Sequence, residues 1–301
     1  MRILRSVLFV PGNRSRMLAK APTLDADAFI IDLEDSVPAA EKVATRPLVR
    51  QAVDDFIAAG RMQVYVRVNP LDSKTAFSRG VGLQDLAAVI CANLAGIILP
   101  KTETAAEVIA VDRHIADLEM AQGIPVGQIE VCPILETAKG ILNAREIAEA
   151  RPRRVPRLSI GPADLTNDLG IEWTRDEAEL QVARSLVVLA SRAAGIEPPI
   201  DGIYADVSDR EGLLHSALRA RQLGFQGKQC IHPDQIGPLN KAFAPTPRQI
   251  DYAGRSVAAF DEAVQSGKAS LLFEGKMLDY PVIERQRQLL ATVDRMNEGI
   301  D

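Results

Sequence analysis

Histidine and cysteine are scarce in this chain: three of each in 301 residues. His114, His215 and His232 share no short ligand spacing, which argues against a zinc centre. Cys91, Cys132 and Cys230 are odd in number and form no CxxC pair. They are expected to be reduced thiols of a cytoplasmic protein, Cys132 and Cys230 within strand-like runs. There is no GxSxG elbow, no GxxxxGKS/T phosphate loop and no GxGxxG turn. No apolar run approaches the ~20 residues that cross a bilayer. The opening MRILRSVLFVPGN lacks a signal-peptide cleavage pattern and runs straight into a strand-and-turn signal. A net charge of −5 gives no general nucleic-acid surface. Neither a membrane nor a nucleic acid is therefore expected as a partner.

What remains is ordinary globular composition, 47% hydrophobic and 25% charged, with length for one large barrel or two domains. Eight short apolar runs recur, at residues 7–10, 28–33, 64–68, 96–99, 129–135, 157–160, 199–204 and 228–231. Most begin roughly 30 residues after the last, the length of one strand–helix–strand unit. Amphipathic stretches lie between them, as at residues 105–121 (AAEVIAVDRHIADLEMA) and 176–194 (DEAELQVARSLVVLASRAA), with apolar residues three and four apart. Eight such alternations predict parallel pairing in a (β/α)8 TIM barrel of the α/β class. A doubly wound sheet is the alternative; it would not need eight units, and its phosphate loop is missing.

After His232 the prolines at 233, 238, 245 and 247 read as a connector. A helix is predicted over residues 247–266, then a Gly-bounded stretch (GKASLLFEGKMLDYP) and a last helix from about Val282. The expected organisation is a barrel over residues 1–239 and a C-terminal helical lid or extension over 240–301.

In such a barrel the chemistry collects at the C-terminal strand ends. Here those ends carry charged or polar residues almost throughout. Glu136 closes IEVCPILE and Asp164 follows RLSI in SIGPAD. Two carboxylates brought together across neighbouring strands, with waters, are what Mg²⁺ requires; the plainer reading is a pair of rim acids in salt bridges. Arg67, in VYVRVN, either pairs with Asp32, Glu34 or Asp35 or stabilises negative charge formed in a reaction. Asp32, Glu34 and Asp35, crowded in DLEDSV, read as supports for Arg67 or for metal-bound waters. Arg16 and Lys20, four apart after the first strand, form either a phosphate-binding pair or a solvated helix face. Asp279, in GKMLDYP, is either a functional acid in an apolar setting or a helix N-cap.

Eight ordered motifs, LFVPGN, IDLEDSV followed by Lys42 and Arg46, VRVN, LPK, ILETAKG, GPADL, GFQGKQCIHPDQI and GKMLDYP, resemble the citrate lyase β-subunit-like (HpcH/HpaI aldolase) family over nearly the whole chain. The resemblance implies a (β/α)8 barrel with Mg²⁺ on Glu136 and Asp164 and Arg67 at the substrate. It implies a carbon–carbon lyase acting on a carboxylate-bearing 3-hydroxyacyl-CoA, with coenzyme A as part of the substrate. Citramalyl-CoA and malyl-CoA lyases are such members; they yield acetyl-CoA and pyruvate or glyoxylate. By motif position Arg16 and Lys20 match coenzyme A-contacting lysines, and Asp206 a substrate contact, of the mitochondrial citramalyl-CoA lyase. Phe9 stands where that relative has Tyr, which removes one ligand hydrogen bond. Asp279 matches a catalytic Asp that reaches an adjacent subunit, which implies a homotrimer or larger oligomer. The β subunit of the citrate lyase complex, acting on a carrier-protein thioester, looks to lack this tail. Such a subunit and a malyl-CoA thioesterase are the alternative functions.

Overall fold

The computed structural model describes residues 3–71, 80–151 and 153–298. Its eight-stranded barrel is closed and wholly parallel, in chain order. The strands are β1 (Ser6–Pro11), β2 (Ala28–Asp32), β3 (Val64–Arg67), β4 (Gly96–Leu99), β5 (Glu130–Leu135), β6 (Ser159–Ile160), β7 (Ile200–Asp201) and β8 (Gly227–Cys230). β1 closes the ring on β8, with Val7 opposite Gln229. Helices α1 (Ser15–Lys20), α2 (Lys42–Ala58), α3 (Val81–Val89), α4 (Ala105–Ala121), α5 (Ala138–Leu142), α6 (Ala144–Ala150), α7 (Pro162–Leu169), α8 (Gln181–Ala193), α9 (Arg210–Leu223) and α10 (Pro233–Phe243) follow the strands. The predicted (β/α)8 barrel is thus what the chain forms.

Strand alternation sorts the core into two layers. Val7, Ala28, Ile30, Tyr65, Ile98, Cys132 and Ile134 pack together inside the ring. Their neighbours Leu8, Phe29, Ile31, Val66, Ile97 and Val131 pack outward on helix residues such as Val53, Phe56 and Val111. Phe29 meets Phe56 edge-on, ring centroids 5.0 Å apart. α4 begins where its sequence signal lies: the Thr104 hydroxyl accepts from Glu107 N–H while the Glu107 carboxylate accepts from Thr104 N–H.

Three expectations differ from the structure. The sixth and seventh strands are shorter than their apolar runs. Pro156, Pro198 and Pro199 donate no ladder bonds, and Gly202 lies so close to Pro162 and the Ile160 carbonyl that a Cβ would clash. The helix predicted from Asp176 begins at Gln181, after a 3₁₀ turn, because Glu177 adopts φ of 50° and turns its buried carboxylate onto Arg184 and Ser216. The connector after His232 is in fact α10, whose Ile236, Leu239, Ala242 and Phe243 are buried. Pro233 opens it, and packing of that face outweighs the bond lost at Pro238. The expected division at residue 239 falls inside this helix.

By its contacts the chain divides into two compact units, one ending at Phe243 and the other beginning at Ala244. The second holds α11 (Pro247–Gln265), a hairpin of β9 (Leu271–Phe273) and β10 (Lys276–Leu278), and α12 (Tyr280–Glu298) around Phe260, Leu278 and Ile283. The hairpin was read from sequence only as a Gly-bounded stretch. Its two-residue turn, Glu274–Gly275, has positive φ at both positions (46° and 76°), the geometry that suits strand twist. Among the described residues, no helix is long and apolar enough to cross a membrane.

Behind β7 and β8 lies a buried group of two anions and two cations. Asp201 accepts from Arg184 at 2.8 Å and from Lys228 at 2.6 Å. Arg184 also donates to Glu177 at 2.9 Å. Asp201→Ala would leave two buried cations with one counter-charge. It is expected to cost about 3–5 kcal/mol in chemical denaturation; a loss under about 1 kcal/mol would show that this group contributes little.

Candidate active site

Parity along the strands decides which charges meet. Asp32, Arg67 and Glu136 are in phase with the inward residues Ile30, Tyr65 and Ile134, so all three turn toward the barrel axis at its C-terminal mouth. Two clefts of about 370 and 290 Å³ open there, and both are bordered by Glu136 and Asp164. The smaller is also lined by Phe9, Arg67, Ile203 and Gln229.

Arg67 grips Asp32 with two parallel hydrogen bonds, Nε and Nη2 each at 2.7 Å. Its Nη1 lies 2.9 Å from Glu34 Oε2 and 3.7 Å from Asp35 Oδ2. The guanidinium also sits over the Phe9 ring, 4.8 Å from the centroid. Asp32 is fixed in turn by the N–H groups of Glu34 and Ser36. Burial pushes the Asp32 carboxyl up, but its bonds from Arg67 more than offset this and hold it below the usual carboxylate range. Asp32, Glu34 and Asp35 therefore all face Arg67.

Glu136 stands just past β5, 2% exposed, and its Oε1 accepts the Lys101 backbone N–H at 2.6 Å. A Cβ at Gly161 would run into the Glu136 carboxylate, so glycine makes the room there. Asp164 lies in the first turn of α7, which Pro162 opens and whose N-terminus favours an anion. Its Oδ1 lies 4.0 Å from Lys101 Nζ, so one residue touches both carboxylates. Burial, with the charges of Glu34 and Asp164, pushes the Glu136 carboxyl up to about 8. Burial likewise raises Glu34 to about 7, against the pull of Arg67 and Lys101.

Two residues were missed as site members from sequence. Lys101 entered only as part of a motif and a strand end, yet its Nζ donates to Glu34 Oε1 at 2.5 Å. Lys42 donates to the carbonyls of Leu33 and Glu34 at 2.9 and 2.7 Å and so fixes the loop that carries the acids. The signal for Lys42 was its place after DLEDSV; for Lys101 there was none beyond its strand end.

The other predicted residues make their described contacts within their own segments. Arg16 and Lys20 are exposed on α1, the connection leaving β1, and line neither cleft. Asp206 is exposed and accepts from the N–H and hydroxyl of Ser208 within its own loop. Asp279, in the second unit, accepts the Val282 N–H at 3.1 Å through Oδ1, the arrangement of an N-cap. His232 Nδ1 accepts from Asp234 N–H, a bond internal to its loop.

The donor set fits a hard divalent cation. Glu136 and Asp164 offer carboxylate oxygens at the cleft border, and burial, then the neighbouring acids, raise the Glu136 carboxyl. Among the described residues, no three His, Cys, Asp or Glu side chains are grouped to hold a metal by themselves. Two protein carboxylates leave the remaining positions to water or substrate.

The pattern of the HpcH/HpaI aldolase/citrate lyase family matches residues 5–233. The chain belongs to this family. Citrate lyase subunit beta of Haemophilus influenzae is 36% identical over 300 residues, 100% of this chain and 99% of that protein. A (3S)-malyl-CoA thioesterase of Cereibacter sphaeroides is 37% identical over 290 residues, 96% and 94% of the two chains. Among solved structures, CitE from Mycobacterium tuberculosis in complex with magnesium, acetoacetate and coenzyme A shares the fold at a TM-score of 0.74 and 31% identity, covering 97% of this chain and 98% of that one. The match to citrate lyase subunit beta runs through the C-terminal unit. This corrects the expectation that such subunits lack the segment, and its presence does not separate the family's activities.

The raised carboxyls carry a sign. Folding keeps protons on Glu136 and Glu34 that the unfolded chain releases near 4.5. Stability of the metal-free protein should therefore fall as pH rises from about 5 to about 8. Thermal melting in chelator should show that slope, and Glu136→Gln should flatten it; an unaltered slope would mean that Glu136 is not the group held protonated.

Proposed function

We propose that the chain is a Mg²⁺-dependent carbon–carbon lyase acting on a carboxylate-bearing 3-hydroxyacyl-CoA of the citramalyl-CoA or malyl-CoA type, forming acetyl-CoA and pyruvate or glyoxylate. The observation that carries the reading is the border shared by both clefts: Glu136 and Asp164, with Arg67 lining one of them. The resemblance to CitE in complex with magnesium, acetoacetate and coenzyme A supports it.

Bound Mg²⁺ would polarise the oxygens of the small-acid half of the substrate. Arg67, held by Asp32 and Glu34 and lining the smaller cleft, would present a fixed positive charge where negative charge develops. The Lys101 N–H and the space at Gly161 keep the Glu136 carboxylate in place. The hydroxyl proton would pass to water, the hydroxyl carbon becoming the keto-acid carbonyl as the carbon–carbon bond breaks and its electron pair enters the thioester as an enolate. Asp279, reaching in from a second copy of the chain in a homo-oligomer, then protonates the enolate carbon. Arg16 and Lys20, exposed and four apart, would meet the phosphates of coenzyme A, and Asp206 the acyl portion.

A second reading follows from the relatives, a citrate lyase subunit beta and a malyl-CoA thioesterase. The purified chain with Mg²⁺ and malyl-, citramalyl- or citryl-CoA separates them. Acetyl-CoA with a keto acid marks a lyase, free malate marks hydrolysis, and no turnover in isolation marks a complex-bound subunit. Glu136→Ala and Asp164→Ala should abolish metal-dependent turnover; activity of either in chelator rejects the metal assignment. Asp279→Asn keeps the helix cap and removes the acid. It should lower turnover about 10²-fold at unchanged melting temperature and Mg²⁺ affinity; full turnover would reduce Asp279 to a cap.

A further inference from the structure

Lys101 is the one non-glycine residue of the cluster in the left-handed region, with φ of 50°. A lysine there costs of order 1 kcal/mol that glycine would not. The bend places two groups at once: the backbone N–H on Glu136 Oε1 at 2.6 Å, and the ammonium among three further carboxylates. Nζ is 2.5 Å from Glu34, 3.6 Å from Asp35 and 4.0 Å from Asp164. Glycine would retain the backbone bond without strain, so the bond alone does not account for lysine. Arg67 is committed to Asp32 through two of its nitrogens and shares Glu34 and Asp35 through the third. Lys101 is thus the cation that reaches both Asp164 and, through its backbone, Glu136.

We propose that the Lys101 ammonium is the resident counter-charge of this carboxylate cluster and that a divalent ion binds against it. Lys101 holds Glu34, Asp35 and Asp164 in place before a metal arrives, and it lowers metal affinity because two positive centres then share one group of carboxylates. This sets how readily the site fills and empties. The inference rests on the reading of Glu136 and Asp164 as metal ligands.

Calorimetric titration of the substrate-free protein with MgCl₂ tests it. Lys101→Met removes the charge and keeps the stem; Lys101→Gly also relieves the backbone; Lys101→Arg keeps the charge. Both neutral variants should bind Mg²⁺ at least about tenfold more tightly than wild type, a modest share of what one charge a few ångströms away exerts in a partly buried site. The arginine variant should stay within about threefold of wild type, since its charge is retained. Without metal, Lys101→Met should melt lower than wild type, and saturating Mg²⁺ should close the gap. Equal or weaker binding by both neutral variants overturns the inference and leaves Lys101 a support for Glu34. No Mg²⁺ uptake by the wild-type chain overturns the metal reading, and this inference with it.

Discussion

Negative charge crowded into a buried place is the constraint around which the barrel mouth is built. Glu34 and Glu136 are almost wholly buried, and Asp35 and Asp164 stand beside them. Carboxylates out of water repel one another and lose hydration, and both effects favour protonation. The surrounding residues answer with donors. Arg67 takes Asp32, Lys42 ties down the loop carbonyls behind Glu34, and Lys101 supplies an N–H on one side and an ammonium on the other. Burial still outweighs these donors at Glu34 and Glu136, whose carboxyls stay raised. Buried carboxylates grouped at a cleft are the donors that a hard cation from solution would take.

Much of the barrel was legible because parallel strands buried on both faces read as apolar runs, and the helices between them keep a strict period. The acids at the strand ends stood out because nothing apolar explains a carboxylate at the end of such a run. Less was legible where backbone geometry overrides composition. Glu177 and Lys101 take positive φ without being glycine, so neither the late start of α8 nor the turning of Lys101 into the acids could be read off. Prolines at 233 and 238 pointed to a connector, yet burial of one helix face prevailed. Of the two readings open for Arg67, the ion pair with Asp32 is present in the folded chain. That pairing does not exclude a part in chemistry, since the paired Arg67 still lines the smaller cleft.

The C-terminal unit has its own logic. A two-residue turn reverses the chain between β9 and β10, Leu278 seals a small core with Phe260 and Ile283, and Asp279 starts the final helix directly after. A residue that caps a helix is held by that helix, so its remaining oxygen has a defined direction. Structural and chemical roles for Asp279 are therefore compatible.

The alternation of strand side chains bears on how such a chain can vary over generations. Glu136 looks down the axis only because an even number of steps separates it from Cys132 and Ile134. Deleting or inserting a single residue within β5 would swing it into the helix layer and carry Leu135 or a neighbour inward, without altering any group of the site. Lineages of this protein can thus accept length changes in the loops, whereas the strands tolerate substitution but not a change of count.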